Sequence, residues 1–166
     1  MPVYHLTGPT EEPEAVTLSG AHFGVNVVTT YDQEIAEPTS GLADLVKELG
    51  ANTLRFPGGS ATEHYFDMTN PNSTIPVSSG AAALTPMDDF FTAAGYIGAD
   101  VQIVVPTRVG FADSAIEALR AGEYGQRDTL ADSYLSDVET FLRTAFAEAT
   151  ANGVEITALE IGNEFW

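Results

Sequence analysis

The chain has 166 residues, 44% of them apolar, and sets six basic side chains against 24 acidic ones for a formal charge of −18. That length and apolar share suffice for one domain with a real core and exclude a disordered tail. The charge excludes nucleic acid and anionic membrane as partners, since both need a positive surface, and the lack of cysteine excludes disulfides and thiolate metal sites.

Lys47 is the only lysine. Such an acid-rich composition suits a salty medium, where screening weakens repulsion among carboxylates, and equally serves simple solubility. The opening Met1-Pro2-Val3-Tyr4-His5 has no basic stretch and no apolar run of the kind a classical signal peptide carries. No apolar run approaches the length of a membrane span.

Residues 1–20 are rich in proline and acid and read as a lead-in segment, with a short strand at Ala15-Val16-Thr17-Leu18. Residues 21–166 read as one α/β domain. Phe23-Gly24-Val25-Asn26-Val27-Val28 is a β-branched run of the kind buried on both faces of a parallel sheet. Thr39 or Ser40 then caps a helix carrying Leu42, Leu45, Val46 and Leu49 on one stripe, with Gly50 as its left-handed stop. Asn52 to Phe56 is a second strand, broken by Pro57-Gly58-Gly59 and followed by a long polar loop to about Leu84. Thr85-Pro86-Met87-Asp88 reads as a helix start with Thr85 as cap, and Phe90, Phe91 and Ala94 supply the inward face up to Gly98. Val101 to Val105 is the third strand, stopped by Pro106, and a minor helix is expected from Ser114 to Ala121. A last helix from about Leu130 to Ala151 places Leu135, Val138, Phe141, Leu142, Ala145 and Ala149 on one stripe before Gly153. Phe90, Phe91, Phe141 and Phe146 sit at helical spacing and are expected in the core. Glu155 to Ile161 forms the fourth strand.

Strict alternation of four strands with three main helices implies right-handed crossovers and a parallel sheet. Long connections leave strands two and three while short ones enter strands, as expected when the C-terminal strand ends carry the functional residues. A complete eightfold (β/α) barrel needs about 250 residues. The pattern therefore fits the N-terminal half, strands one to four, of a parallel (β/α) barrel, and also fits an open four-stranded α/β sandwich.

Two segments carry chemistry. The ending Leu159-Glu160-Ile161-Gly162-Asn163-Glu164-Phe165-Trp166 sets an Asn-Glu pair and an aromatic where a strand leaves the sheet. A carboxyl at the mouth of a sheet is partly desolvated, which raises its pKa toward the range of a general acid. Asn163 is placed to hydrogen-bond a sugar hydroxyl and Trp166 to offer a stacking face. The segment Leu54-Arg55-Phe56-Pro57-Gly58-Gly59-Ser60 ends strand two, and Arg55 there is placed to hold the strand-four carboxylate ionised and oriented. Each also has a plain structural reading: a turn opening a helix, and an arginine in an ion pair beside an ordinary turn. Tyr31 and Asp32 after strand one, Ser60, His64 and Tyr65 after strand two, and Thr107 and Arg108 after strand three line the same mouth. No metal-ligand, dinucleotide or phosphate-loop motif is present, so neither a metal nor a cofactor is expected.

In order and spacing these segments resemble the clan of retaining (β/α)8 glycoside hydrolases whose acid/base glutamate follows an asparagine at the end of strand four. The resemblance is nearest to the α-L-arabinofuranosidase and β-glucuronidase/heparanase-like branches and covers Phe23 to Trp166. It implies that Glu164 is the general acid/base, that Asn163 binds the hydroxyl beside the anomeric carbon, and that Arg55 braces the catalytic carboxylates. It further implies a nucleophilic glutamate near strand seven, which this chain does not reach, so the chain alone is expected to be inactive. A carbohydrate substrate and an extracellular or cell-surface location follow from the same resemblance, with a cytoplasmic one left open. The alternative is a non-catalytic carbohydrate-binding or structural module. Open sheet edges make self-association a further expectation.

Overall fold

The structure is a computed structural model and describes residues 23–37, 40–81, 83–111 and 130–163. The expected strand at Ala15–Leu18, the minor helix at Ser114–Ala121, the cap at Thr39, and Glu164 and Trp166 lie outside the described residues.

Four strands, β1 (Gly24–Asn26), β2 (Thr53–Phe56), β3 (Asp100–Val105) and β4 (Ile156–Ile161), form one sheet in the order β1-β2-β3-β4 with every pair parallel. The helices are α1 (Leu42–Glu48), the single turn α2 (Ala61–His64), α3 (Met87–Ile97) and α4 (Tyr134–Asn152). The protein is thus an α/β fold in which chain order and sheet order coincide. Among the described residues no helix is long and apolar enough to cross a membrane.

Alternation along the strands gives the sheet two unlike faces. Leu54 and Phe56 of β2 and Val101 and Ile103 of β3 are fully buried and pack with Phe90, Phe91 and Ala94 of α3 and Phe141, Ala145 and Ala149 of α4. The other face carries Asn26, Arg55 and Gln102, which the parallel register sets side by side on three adjacent strands. β1 is shorter than its β-branched run suggests, and it is not buried on both faces: Gly24 and Asn26 are exposed and Val25 is half-buried. Its outer face belongs to the polar side, and it is an edge strand.

Several local expectations shift for physical reasons. α3 begins one residue later than expected, at Met87, because Thr85 is not its cap. Thr85 instead joins Thr29 of the β1 loop, its N–H donating to Thr29 Oγ1 at 2.8 Å and its carbonyl accepting the Thr29 hydroxyl at 3.1 Å. The first turn of α3 is satisfied from a distance, by the Asn72 side chain accepting from Asp88 N–H at 3.1 Å and the Pro71 carbonyl accepting from Met87 N–H at 3.1 Å. Of the stripe expected on α1 only Val46 is buried, with Leu42 half-buried; Leu45 and Leu49 face solvent. Phe146 is likewise exposed rather than in the core, and so is Leu135. With the half-buried Val138 and Leu142, and with the Glu139–Arg143 ion pair, they form an open strip along the outside of α4. On the helix side of edge strand β4, Leu159 and Ile161 are also exposed.

Candidate functional site

The C-terminal ends of the strands gather the polar groups. Arg55 reaches across the polar face and binds Glu160 through both carboxylate oxygens, Nε to Oε2 and Nη2 to Oε1, each at 2.7 Å. Its Nη1 donates to Asn26 Oδ1 at 2.9 Å and its Nη2 to Asn163 Oδ1 at 2.8 Å. Gln102 Nε2 donates to Glu160 Oε2 at 3.0 Å. One guanidinium therefore joins β1, β2, β4 and Asn163, two residues past β4, while β3 contributes through Gln102. The paired hydrogen bonds from Arg55 hold the Glu160 carboxyl below its ordinary pKa, with help from Gln102 and against its own partial burial. Glu160 is thus held as a carboxylate, an acceptor of hydrogen bonds rather than a proton donor.

The guanidinium has no acceptor, so its bond fixes Asn163 with the oxygen toward Arg55 and the NH₂ turned away. Among the described residues that NH₂ has no partner. Just before Asn163, Gly162 lets the chain pass close to Thr107. It sits at φ +77, and a Cβ there would stand 2.6 Å from Thr107 Oγ1. Gly162→Ala is expected to cost about 1 kcal/mol, for the left-handed backbone and the displaced Thr107 side chain. A thermal melt of the variant checks it. At the end of β2, Gly58 is held still more tightly: a Cβ there would lie 2.3 Å from the Val27 carbonyl oxygen.

The second group centres on Glu63 in α2, only 3% exposed. Its Oε1 accepts Asn163 N–H at 2.9 Å, and Thr107 N–H and Oγ1–H at 3.2 Å each; its Oε2 accepts Arg108 N–H at 2.6 Å and Thr107 N–H at 3.0 Å. Nearby, the Tyr134 hydroxyl donates to the Pro106 carbonyl at 3.0 Å, and burial first and the Glu63 charge second raise the phenol's pKa.

Of the residues singled out from sequence, the structure brings together Arg55 and Asn163 directly. It also joins His64 to Arg108, whose guanidinium Nη1 meets the imidazole Nδ1. Asp32 has a local duty: its Oδ2 accepts Val28 N–H at 2.7 Å and closes the turn after β1. Tyr31 stands 82% exposed on that turn and shares no hydrogen bond with the Arg55 group. Tyr65 packs the returning loop, its carbonyl accepting Val77 N–H at 3.0 Å and its phenol lying against Gly80. Among the described residues no three His, Asp or Glu side chains gather as a metal ion would require.

Sequence reasoning missed Asn26, Gln102, Glu160 and Glu63. Asn26 and Gln102 were within reach, because strand alternation and parallel register set them beside Arg55; Glu160 needed the structure, because the β3–β4 register shifts between Val101 and Gln102. Glu63 was not, since nothing in its neighbours separates it from the other acidic residues. Comparison with known protein families, with characterised proteins and with solved structures finds no match to this chain.

Proposed function

We propose that the chain is the N-terminal half of a (β/α) barrel that binds a carbohydrate at the C-terminal ends of its strands, within a retaining glycoside hydrolase whose general acid/base is Glu164. The observation that carries this reading is the state of Asn163. Arg55 fixes its carbonyl, which leaves its NH₂ on the side away from the guanidinium, one position before Glu164 in the sequence. An oriented amide donor beside a carboxyl is what recognition and cleavage at an anomeric centre require. The sequential parallel order of the strands supports the barrel, as do the apolar groups left bare along β4 and α4, where a further β/α unit would pack.

One observation favours a non-catalytic carbohydrate-binding role for this chain by itself. A retaining mechanism needs a second carboxylate about 5–5.5 Å from the acid. Among the described residues at the strand ends, Glu63, Glu160 and Asp32 are each engaged in hydrogen bonds. In the proposed enzyme the nucleophile comes from a later strand.

The test pairs binding with turnover at neutral pH in moderate salt. The 166-residue chain is expected to bind glycosides, Asn163→Ala to weaken that binding about tenfold, equivalent to about 1.4 kcal/mol, and nitrophenyl glycosides to be cleaved no faster than by Glu164→Gln. Hydrolysis present in the wild type and lost in Glu164→Gln makes Glu164 catalytic and shows that another carboxylate in the chain serves as partner. Glycoside binding by neither protein, or hydrolysis that survives Glu164→Gln, defeats the proposal.

A further inference from the structure

Glu63 is the one acidic side chain among the described residues that is fully buried, in a protein with 24 acids to place. Burying a carboxylate is costly unless its oxygens are well satisfied, and here both are. Its donors come from two separate connections: the main-chain N–H groups of Thr107 and Arg108 after β3, and that of Asn163 after β4. These amides lie past the ends of their strands, beyond the paired registers of the sheet. The carboxylate supplies acceptors there, and hydrogen bonds to an ionised acceptor are about twice as strong as neutral ones.

The glutamate is itself braced from behind. Its N–H donates to the Ser60 carbonyl at 3.1 Å, and Thr62 and Phe66 on either side are buried. Asn163 is consequently held twice, by its main chain to Glu63 at 2.9 Å and by its side chain to Arg55 at 2.8 Å. The two holds come from different segments, so neither substitutes for the other.

We infer that Glu63 is a positioning residue of the carbohydrate site: it fixes the main chain of Asn163, so that the Asn163 side chain is presented to a bound sugar. This rests on the carbohydrate-binding reading of the site. Glutamine has the same shape but only one acceptor oxygen, and its NH₂ would face amide donors instead of accepting from them.

The test is a double-mutant cycle on the 166-residue chain, with isotope-labelled protein titrated by methyl α-L-arabinofuranoside and methyl β-D-xylopyranoside. In Glu63→Gln the amide signals of Thr107, Arg108 and Asn163 are expected to move upfield while those of Val101 to Val105 stay in place. Affinity for the glycoside falls at least tenfold, and the same substitution in an Asn163→Ala background changes it less than twofold. Glu63→Asp, which keeps the charge on a shorter arm, recovers part of the loss. A merely structural effect would add equally in both backgrounds, so equal losses overturn the inference. Unchanged affinity in Glu63→Gln alongside a loss in Asn163→Ala overturns the role of Glu63 and leaves the site standing. A wild-type chain that binds neither glycoside overturns the site and this inference together. If Glu63→Gln does not fold, Glu63→Asp carries the same cycle; if neither folds, Glu63 serves folding and the inference fails.

Discussion

Phe90→Ala is expected to destabilise the chain by about 4 kcal/mol, the middle of the range that removal of a core aromatic costs. Phe90 is fully buried and stacks on Phe56 of β2, ring centroids 4.4 Å apart and planes 21° from parallel. Phe91 meets it edge-on at 5.6 Å, and Phe56 in turn meets Phe66 edge-on at 5.6 Å. Phe66 continues the chain of rings to Phe141 of α4, again at 5.6 Å. The side chain thus sits where α3, β2, the loop after β2 and α4 converge. Truncation leaves a cavity bounded by rigid rings that cannot collapse into it. A domain of this size has about 5–15 kcal/mol of stability in total, so the variant is expected near the edge of unfolding. Urea denaturation followed by circular dichroism measures it. A loss under about 1 kcal/mol would mean that the aromatic cluster does not hold the core together.

Arg55→Met is expected to cost about 2–3 kcal/mol and to weaken glycoside binding with it. Breaking a buried ion pair by removing one partner costs about 3–5 kcal/mol. Here the side chains of Arg55 and Glu160 are 20% and 35% exposed, so water screens part of that penalty. The damage spreads because the same guanidinium also holds Asn26 and Asn163. The double variant Arg55→Met with Glu160→Met is expected to recover most of the stability but none of the binding. Recovery of both would detach the network from the site.

The pair also sets a pH dependence. Arg55 depresses the Glu160 pKa in the folded protein. The stabilisation is therefore complete above the ordinary carboxylate value and is lost as pH falls through the depressed folded value. The stability difference between wild type and Glu160→Gln is expected to be largest near neutrality and to narrow as pH drops below about 4. Denaturation at a series of pH values checks the sign; a difference that widens in acid would contradict it.

What the sequence by itself determined is the framework. β-branched runs, glycine stops and the apolar period mark all four strands and the three main helices to within a few residues. Chain alternation alone implied the parallel sheet. Those signals are local, and a parallel α/β layer has few ways to satisfy them. The inward residues of α3 were equally legible, since Phe90, Phe91 and Ala94 lie on a helix covered along that face. On α1 and α4 the same periodicity misled. Leu45, Leu49, Leu135 and Phe146 fall at core spacing yet stay exposed, because a stripe records which residues are apolar and not what is present to cover them.

The site divides the same way. Arg55 and Asn163 were found because each lies near a strand end where glycine breaks the strand, Arg55 ahead of Pro57-Gly58-Gly59 and Asn163 directly after Gly162, a pattern short enough to read. That Arg55 grips Glu160, 105 residues away in the chain, and that it orients Asn163, depends on two registers in succession, β2 with β3 and β3 with β4, the second of which shifts between Val101 and Gln102. Only the tertiary structure decided the role of Glu63. Apart from the Thr107 hydroxyl, its donors are main-chain amides of residues 44, 45 and 100 positions away, and a backbone N–H carries no side-chain identity to read from sequence. Local patterns report what a segment tends to become; which loops meet, and which buried charge joins them, is settled by packing across the whole sheet.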